Sequence, residues 1–227
     1  MKKIKFVFAA LLMSTVSLFA QKANSFEGTI TYTIAASGND LPKEALMMFD
    51  GAETKTYIKG DKRRLDINMA MQNVSSIIDS KTKTYVTMMD IMGQKYLIHS
   101  TEADIKKEEA AAGDLKIDYT ADTKDIAGYK CKKAIVAVKL ENGKEETFNI
   151  WVTDEIPYTE LKNTYKGLKG FPLEYAMGQG GVKMTFTAKN VSKEKISDTK
   201  FELPKAEGYK EMTMDEFKNE MMKFGSQ

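Results

Sequence analysis

The chain has very few of the residues that usually carry catalytic chemistry. It contains one cysteine, Cys131, and one histidine, His99. A lone cysteine excludes an intramolecular disulfide, so burial of apolar surface must hold the fold together. One cysteine and one histidine cannot form a tetrahedral zinc set. No Gly-x-Ser-x-Gly elbow accompanies His99, which removes the usual hydrolytic triad. Neither the phosphate-binding Gly-x-x-x-x-Gly-Lys-Ser/Thr loop nor the dinucleotide Gly-x-Gly-x-x-Gly fingerprint occurs. Gly178-Gln179-Gly180-Gly181 reads instead as a turn. Carboxylates are plentiful, at 32, but nothing singles out a pair for acid–base work. Asp154-Glu155, ahead of Ile156-Pro157, reads as a solvated loop. Cys131 lies in a strand-like run and reads as a small buried hydrophobe, and His99 as a surface or strand-end residue. No catalytic residue, metal ligand or cofactor is assigned, and the chain is not read as an enzyme.

Long apolar runs are also missing, except at the start. Met1-Lys2-Lys3-Ile4-Lys5 is basic, Phe6 to Phe19 is mostly apolar, and Leu18-Phe19-Ala20 precedes polar Gln21. This is the pattern of a secretory signal peptide over residues 1–20, and the run is shorter than the ~20 residues that span a bilayer. The mature chain is expected to begin near Gln21 as a single domain over 21–227, with no membrane span after cleavage. No cysteine lies near Ala20 for lipid attachment, and the opening looks bacterial. The expected destination is the periplasm or the medium. Removing residues 1–20 takes Lys2, Lys3 and Lys5 and no acid, so 34 basic and 32 acidic residues become 31 and 32. A near-neutral domain has no general attraction for nucleic acid or an anionic membrane. Its oligomeric state is not set by the sequence.

What is abundant is two-residue alternation. Phe26, Gly28, Ile30, Tyr32 and Ile34 alternate with polar residues. So do Leu65, Ile67, Met69 and Met71; Ala134, Val136, Val138 and Leu140; Phe148, Ile150 and Val152; and Val182, Met184, Phe186 and Ala188. Such runs are half-buried strands. Thr84–Met89 and Lys95–Ile98 add two more. Lys59-Gly60-Asp61, Asp79-Ser80-Lys81, Met92-Gly93-Gln94 and Glu141-Asn142-Gly143-Lys144 read as tight reversals. Short turns join antiparallel neighbours, which predicts a large antiparallel meander. Helical signals are few. They are Asp40 to Met48, the polar stretch Glu102–Ala112, and a capping box Thr213-Met214-Asp215-Glu216 ahead of Phe217, Met221 and Phe224. The fold class expected is mainly β (α+β), a curved antiparallel sheet or incomplete barrel with a few short helices.

Methionine is the least ordinary component, with 15 in the chain. Three readings compete. Thioethers fill cores, they make an adaptable lining for varied apolar ligands, and they are soft donors for Cu(I). For the lining, the candidate cavity wall is Met69, Met71, Met88, Met89 and Met184, because their strands carry the methionines.

Several segments together carry a resemblance: Tyr57-Ile58-Lys59-Gly60-Asp61-Lys62-Arg63, Ser75 to Asp79, Ile126-Ala127-Gly128-Tyr129-Lys130-Cys131-Lys132-Lys133, Ile150 to Ile156, and Gly170-Phe171-Pro172-Leu173-Glu174. Their order resembles a secreted bacterial family of unknown function, related to the outer-membrane lipoprotein carrier (LolA-like) superfamily. The resemblance implies an incomplete antiparallel barrel curled around short helices, with an apolar cavity for acyl chains. It implies no catalytic residues. The expected function is a non-enzymatic binding or carrier protein for a lipid, a lipoprotein acyl chain or another hydrophobic envelope ligand. The alternatives are a methionine-based Cu(I) binder and a structural envelope protein.

Overall fold

The computed structural model describes residues 26–37, 52–69, 72–111, 115–139, 145–157, 165, 167–179 and 182–224. The expected signal peptide, the helix expected around Leu41–Met48, Met71, Leu140 and the turn at Glu141–Lys144 lie outside them. Among the described residues no helix is long and apolar enough to cross a membrane.

Alternating apolar and polar residues build two runs of hairpins. The first comprises β1 (Glu27–Ser37), β2 (Glu53–Lys59), β3 (Lys62–Asn68), β4 (Gln72–Asp79), β5 (Thr84–Ile91) and β6 (Gln94–Ser100). The second comprises β7 (Leu115–Ile126), β8 (Tyr129–Lys139), β9 (Glu145–Thr153), β10 (Phe171–Gln179) and β11 (Val182–Lys193). A short strand, β12 (Lys210–Thr213), follows. All twelve share one sheet in the order β12-β6-β5-β4-β3-β2-β1-β11-β10-β9-β8-β7. Each run is a meander, and the two are joined where β1 pairs with β11, from Gly28↔Lys193 to Ser37↔Lys183. The expected antiparallel sheet holds with one exception, since β12 pairs with β6 in parallel. The chain crosses one face of the sheet between β11 and β12, so it returns in the direction of β6.

Turn chemistry sets the hairpins. Met92 and Gly93 both take positive φ (51° and 86°), as do Ala127 and Gly128 (49° and 82°). Two successive residues of that kind give the twist that matches right-handed strands. One reversal differs from expectation. Met69 does not continue the strand, because β3 ends at Asn68 and the Met69 amide donates to the Gln72 carbonyl at 3.0 Å.

Among the described residues two helices flank the sheet. The Glu102–Ala112 stretch is largely helical, as α1 (Glu102–Ala111). The expected capping box opens α2 (Met214–Phe224): Thr213 N donates to Glu216 Oε2 at 2.7 Å, and Glu216 N donates to Thr213 Oγ1 at 3.3 Å. The same reciprocal arrangement, Thr101 with Asp104, opens α1.

The sheet curls strongly in its middle, around the β1–β11 pairing. The Tyr32 hydroxyl on β1 donates to the Pro172 carbonyl on β10 at 2.9 Å, passing over β11. Arg63 on β3 lies over the ring of Phe171 on β10, 5.8 Å from its centroid. Ile30 and Ile58 share a cluster with Ile126 and Cys131, which come from strands far along the sheet order. The face carrying Tyr32, Ile58 and Arg63 is therefore the inner, concave one.

The outer face has an identified cover over β4–β6. Ile77, Val86, Met88 and Leu97 pack beneath Ile196, Phe201 and Tyr209. Polar ties hold that covering segment down. Lys59 Nζ donates to the Ile196 carbonyl at 3.0 Å, the Ile196 amide donates to Glu27 Oε1 at 2.9 Å, and an Arg64 nitrogen donates to the Lys200 carbonyl at 3.1 Å.

Candidate functional site

Directly paired residues of an antiparallel ladder point to the same face, so register alone lays out the inner surface. One transverse row runs Tyr32, Thr54, Ile67, Val74, Met89, Tyr96 across β1 to β6. The next runs Ile30, Thr56, Leu65, Ser76, Thr87, Ile98. A third carries Ile58, Arg63, Ile78 and Tyr85.

Both ends of the first two rows belong to closed clusters. At one end Ile30, Tyr32 and Ile58 are buried with Phe171, Leu173, Phe186 and Ala188. At the other, Tyr96 and Ile98 are buried with Met212 beneath α2, where the Tyr96 and Phe217 rings meet edge to face at 5.6 Å. Between the ends lie Ile67, Val74, Leu65 and Ile78, which are half-buried and belong to neither cluster. This middle stretch is the candidate site: an apolar floor dotted with hydroxyls.

The hydroxyls are not alike. Ser76 and Thr87 satisfy each other, with their oxygens 3.1 Å apart. Thr56 is 6 % exposed and Thr54 is 0 % exposed. The Thr54 hydroxyl is buried and, among the described residues, has no hydrogen-bond partner. A buried hydroxyl without a partner forfeits about 1–3 kcal/mol of hydration.

The structure separates the methionines expected to form one wall. Met89 lies in the first row of the inner face, and Met184 is opposite Ala36 on the same face, packed against the first cluster. Met69 follows Ile67 at the β3 end and is half-buried. Met88 points the other way, into the outer-face cluster, as its alternation with Met89 requires. Met71 is outside the described residues. A separate group of methionines, Met89, Met212, Met214 and Met221, gathers around Tyr96 and Phe217. Thioether–aromatic contact accounts for that group as core filling. The floor residues Thr54, Leu65, Ile67 and Val74 were not singled out from the sequence. Their signal was present in the Thr54-x-Thr56 and Leu65-x-Ile67 alternation, but nothing local placed those strands side by side.

Other chemistry-bearing groups are dispersed. Cys131 is fully buried, and burial pushes its thiol up to about 11. His99 is exposed and lies 3.5 Å from Glu211. A shallow outer pocket of about 220 Å³ is lined by Lys59, Asp61, Lys62, Asp79, Lys81 and Asp198. Its charges balance internally: Asp198 lies 3.0 Å from Lys59 and 3.9 Å from Lys62, and Asp79 caps the turn through the amides of Lys81 and Thr82. Among the described residues no group of three or more His, Cys, Asp or Glu side chains is placed to hold a metal ion.

A family model described as a domain of unknown function (DUF4412) matches residues 44–161, just over half of the 227-residue chain. The chain belongs to that family. The matched span runs from before β2 to beyond β9 and so contains the floor residues Thr54 to Ile78. No curated protein matches the sequence. Among solved structures, the chain is similar to one described as the structure of PNGF-II in a C2 space group, at 14 % identity and a TM-score of 0.40. That likeness covers 86 % of this chain but only 32 % of the other, so this chain spans about a third of its length.

Proposed function

We propose that the protein is a non-enzymatic binding module of the bacterial envelope that holds a small hydrophobic molecule, such as a lipid or acyl chain, against the middle of its inner sheet face. The observation that carries this reading is the half-buried floor of Leu65, Ile67, Val74 and Ile78 between two closed clusters. The outer face, by contrast, has its apolar strip packed beneath Ile196 and Phe201. The mechanism is burial. Covering roughly 200 Å² of apolar ligand surface at about 25 cal/mol per Å² contributes about 5 kcal/mol before the cost of association. No charged contact or chemical step is needed. The resemblance to the lipoprotein-carrier superfamily and the signal-like first 20 residues favour a periplasmic setting and this class of ligand.

The test uses the mature protein stripped of lipid and titrated with a neutral environment-sensitive dye. Saturable uptake is expected. Ile67→Glu or Val74→Glu should weaken it at least tenfold while the thermal midpoint stays cooperative. Lys200→Glu, on the outer face, should leave it unchanged. A stripped protein that takes up no dye would leave a structural role as the better reading.

A further inference from the structure

Thr54 carries a consequence for what the floor binds. Its hydroxyl sits in the first inner-face row between Tyr32 on β1 and Ile67 on β3. It is 0 % exposed, and its oxygen has no partner among the described residues. The nearby hydroxyl pair Ser76–Thr87, one row away, is internally satisfied. Natural cores rarely leave such a group orphaned, since a valine of nearly the same shape would remove the penalty. Thr54 Oγ1 has no accessible surface, so a ligand oxygen satisfies it by displacing the side chains that cover it at the edge of the apolar floor.

We infer that the ligand is an amphiphile with a neutral oxygen, an alcohol or an ester, and that Thr54 hydrogen-bonds that oxygen while the apolar floor takes the chain. This rests on the binding reading proposed above and narrows its ligand class. Neutrality follows from the row around Thr54, since the inner-face cation Arg63 lies two rows away, over the Phe171 ring. Thr54 is flanked in its row by Tyr32, which is 2 % exposed, and by half-buried Ile67. Burying an unpaired carboxylate there is far more costly than burying an alcohol or ester. A hydroxyl can donate to an ester carbonyl, or both donate to and accept from an alcohol. The strength of one neutral hydrogen bond sets the expected effect at about three- to tenfold in affinity.

The experiment measures displacement of the neutral dye from the stripped mature protein by dodecane, lauryl alcohol, methyl laurate and laurate, which share one chain length. In the wild type, lauryl alcohol and methyl laurate should compete better than dodecane and better than laurate. In Thr54→Val their affinity should fall about three- to tenfold, with dodecane unchanged and the thermal midpoint equal or higher. Thr54→Ser, which retains the hydroxyl, should keep the alcohol preference. If Thr54→Val binds all four as the wild type does, the hydroxyl has no ligand role and the inference falls while the binding reading stands. Laurate competing as well as the alcohol would overturn the neutral-oxygen assignment. A wild type that binds no dye sinks both readings at once.

Discussion

Replacing Phe201 with alanine separates the packing of the outer face from whatever the inner face does. Phe201 ends the short 3-10 turn Asp198–Phe201 and is 9 % exposed. It packs with Ile77, Val86, Met88, Leu97 and Ile196. The backbone around it cannot simply settle into the vacated space. Lys59 and Glu27 hold Ile196 through its carbonyl and amide, and Arg64 holds the Lys200 carbonyl. Phe→Ala substitutions in cores remove about 3–5 kcal/mol, and the remaining exposure of Phe201 places it near about 3 kcal/mol. A domain of this size shifts by about 2–4 °C per kcal/mol, so the thermal midpoint should fall by roughly 6–12 °C. Urea melts should show a lower midpoint with an unchanged slope. Dye binding by the folded variant should match the wild type, because Phe201 packs on the face opposite the floor. A loss under about 1 kcal/mol would mean that residues 194–209 do not close the outer face. A fall in dye affinity as large as that from Ile67→Glu would mean the faces are not independent.

Three further outcomes follow from individual residues. Cys131 is fully buried with its thiol pushed up to about 11, so it should label far more slowly in the native protein than in denaturant, and labelling at the unfolded rate would contradict its burial. A Cβ on Gly28 would lie 2.1 Å from the Ser192 carbonyl oxygen, so Gly28→Ala should lose about 2 kcal/mol or more in a urea melt, and an undisturbed Gly28→Ala would refute the β1–β11 register. The backbone amides of Thr213 and Thr101 hold the Glu216 and Asp104 carboxyls below their ordinary values of 4.5 and 3.8. A folded value below the unfolded one stabilises above the ordinary carboxylate range and is lost as pH falls through it. Protection of the amides at the starts of α1 and α2, measured against the unfolded exchange rate at the same pH, should therefore fall on acidification through the ordinary carboxylate range, and Glu216→Gln should flatten that response for α2.

Several elements were legible without tertiary information because their causes are local. Alternation along Phe26–Ile34 and Phe148–Val152 makes one face apolar, and Ile30, Tyr32, Phe148, Ile150 and Val152 are all buried. Gly60 and Gly93 mark reversals because they adopt positive φ. The Thr213–Glu216 box starts α2 through hydrogen bonds that span three residues. The buried state of Cys131 likewise follows from its place in a strand with no partner cysteine.

The rest depended on which strands became neighbours. Alternation tells a strand that it has an apolar face, but it does not tell β1 to pair with β11, or β12 to lie parallel to β6. Those pairings join residues more than a hundred positions apart, and a slip of one residue would reverse every side chain. Met88 and Met89 illustrate the point. Alternation by itself puts them on opposite faces, whereas only the assembled sheet makes Met88 the outer one and Met89 the inner one. Thr54 illustrates it further. Its threonine identity reads locally as an ordinary strand residue. Only the curl of the sheet, set by distant contacts such as Tyr32 with Pro172 and Arg63 with Phe171, puts its face on the concave side. The strands and their polarity are thus written in local pattern, while the floor is a product of long-range register and curvature, which no local segment encodes.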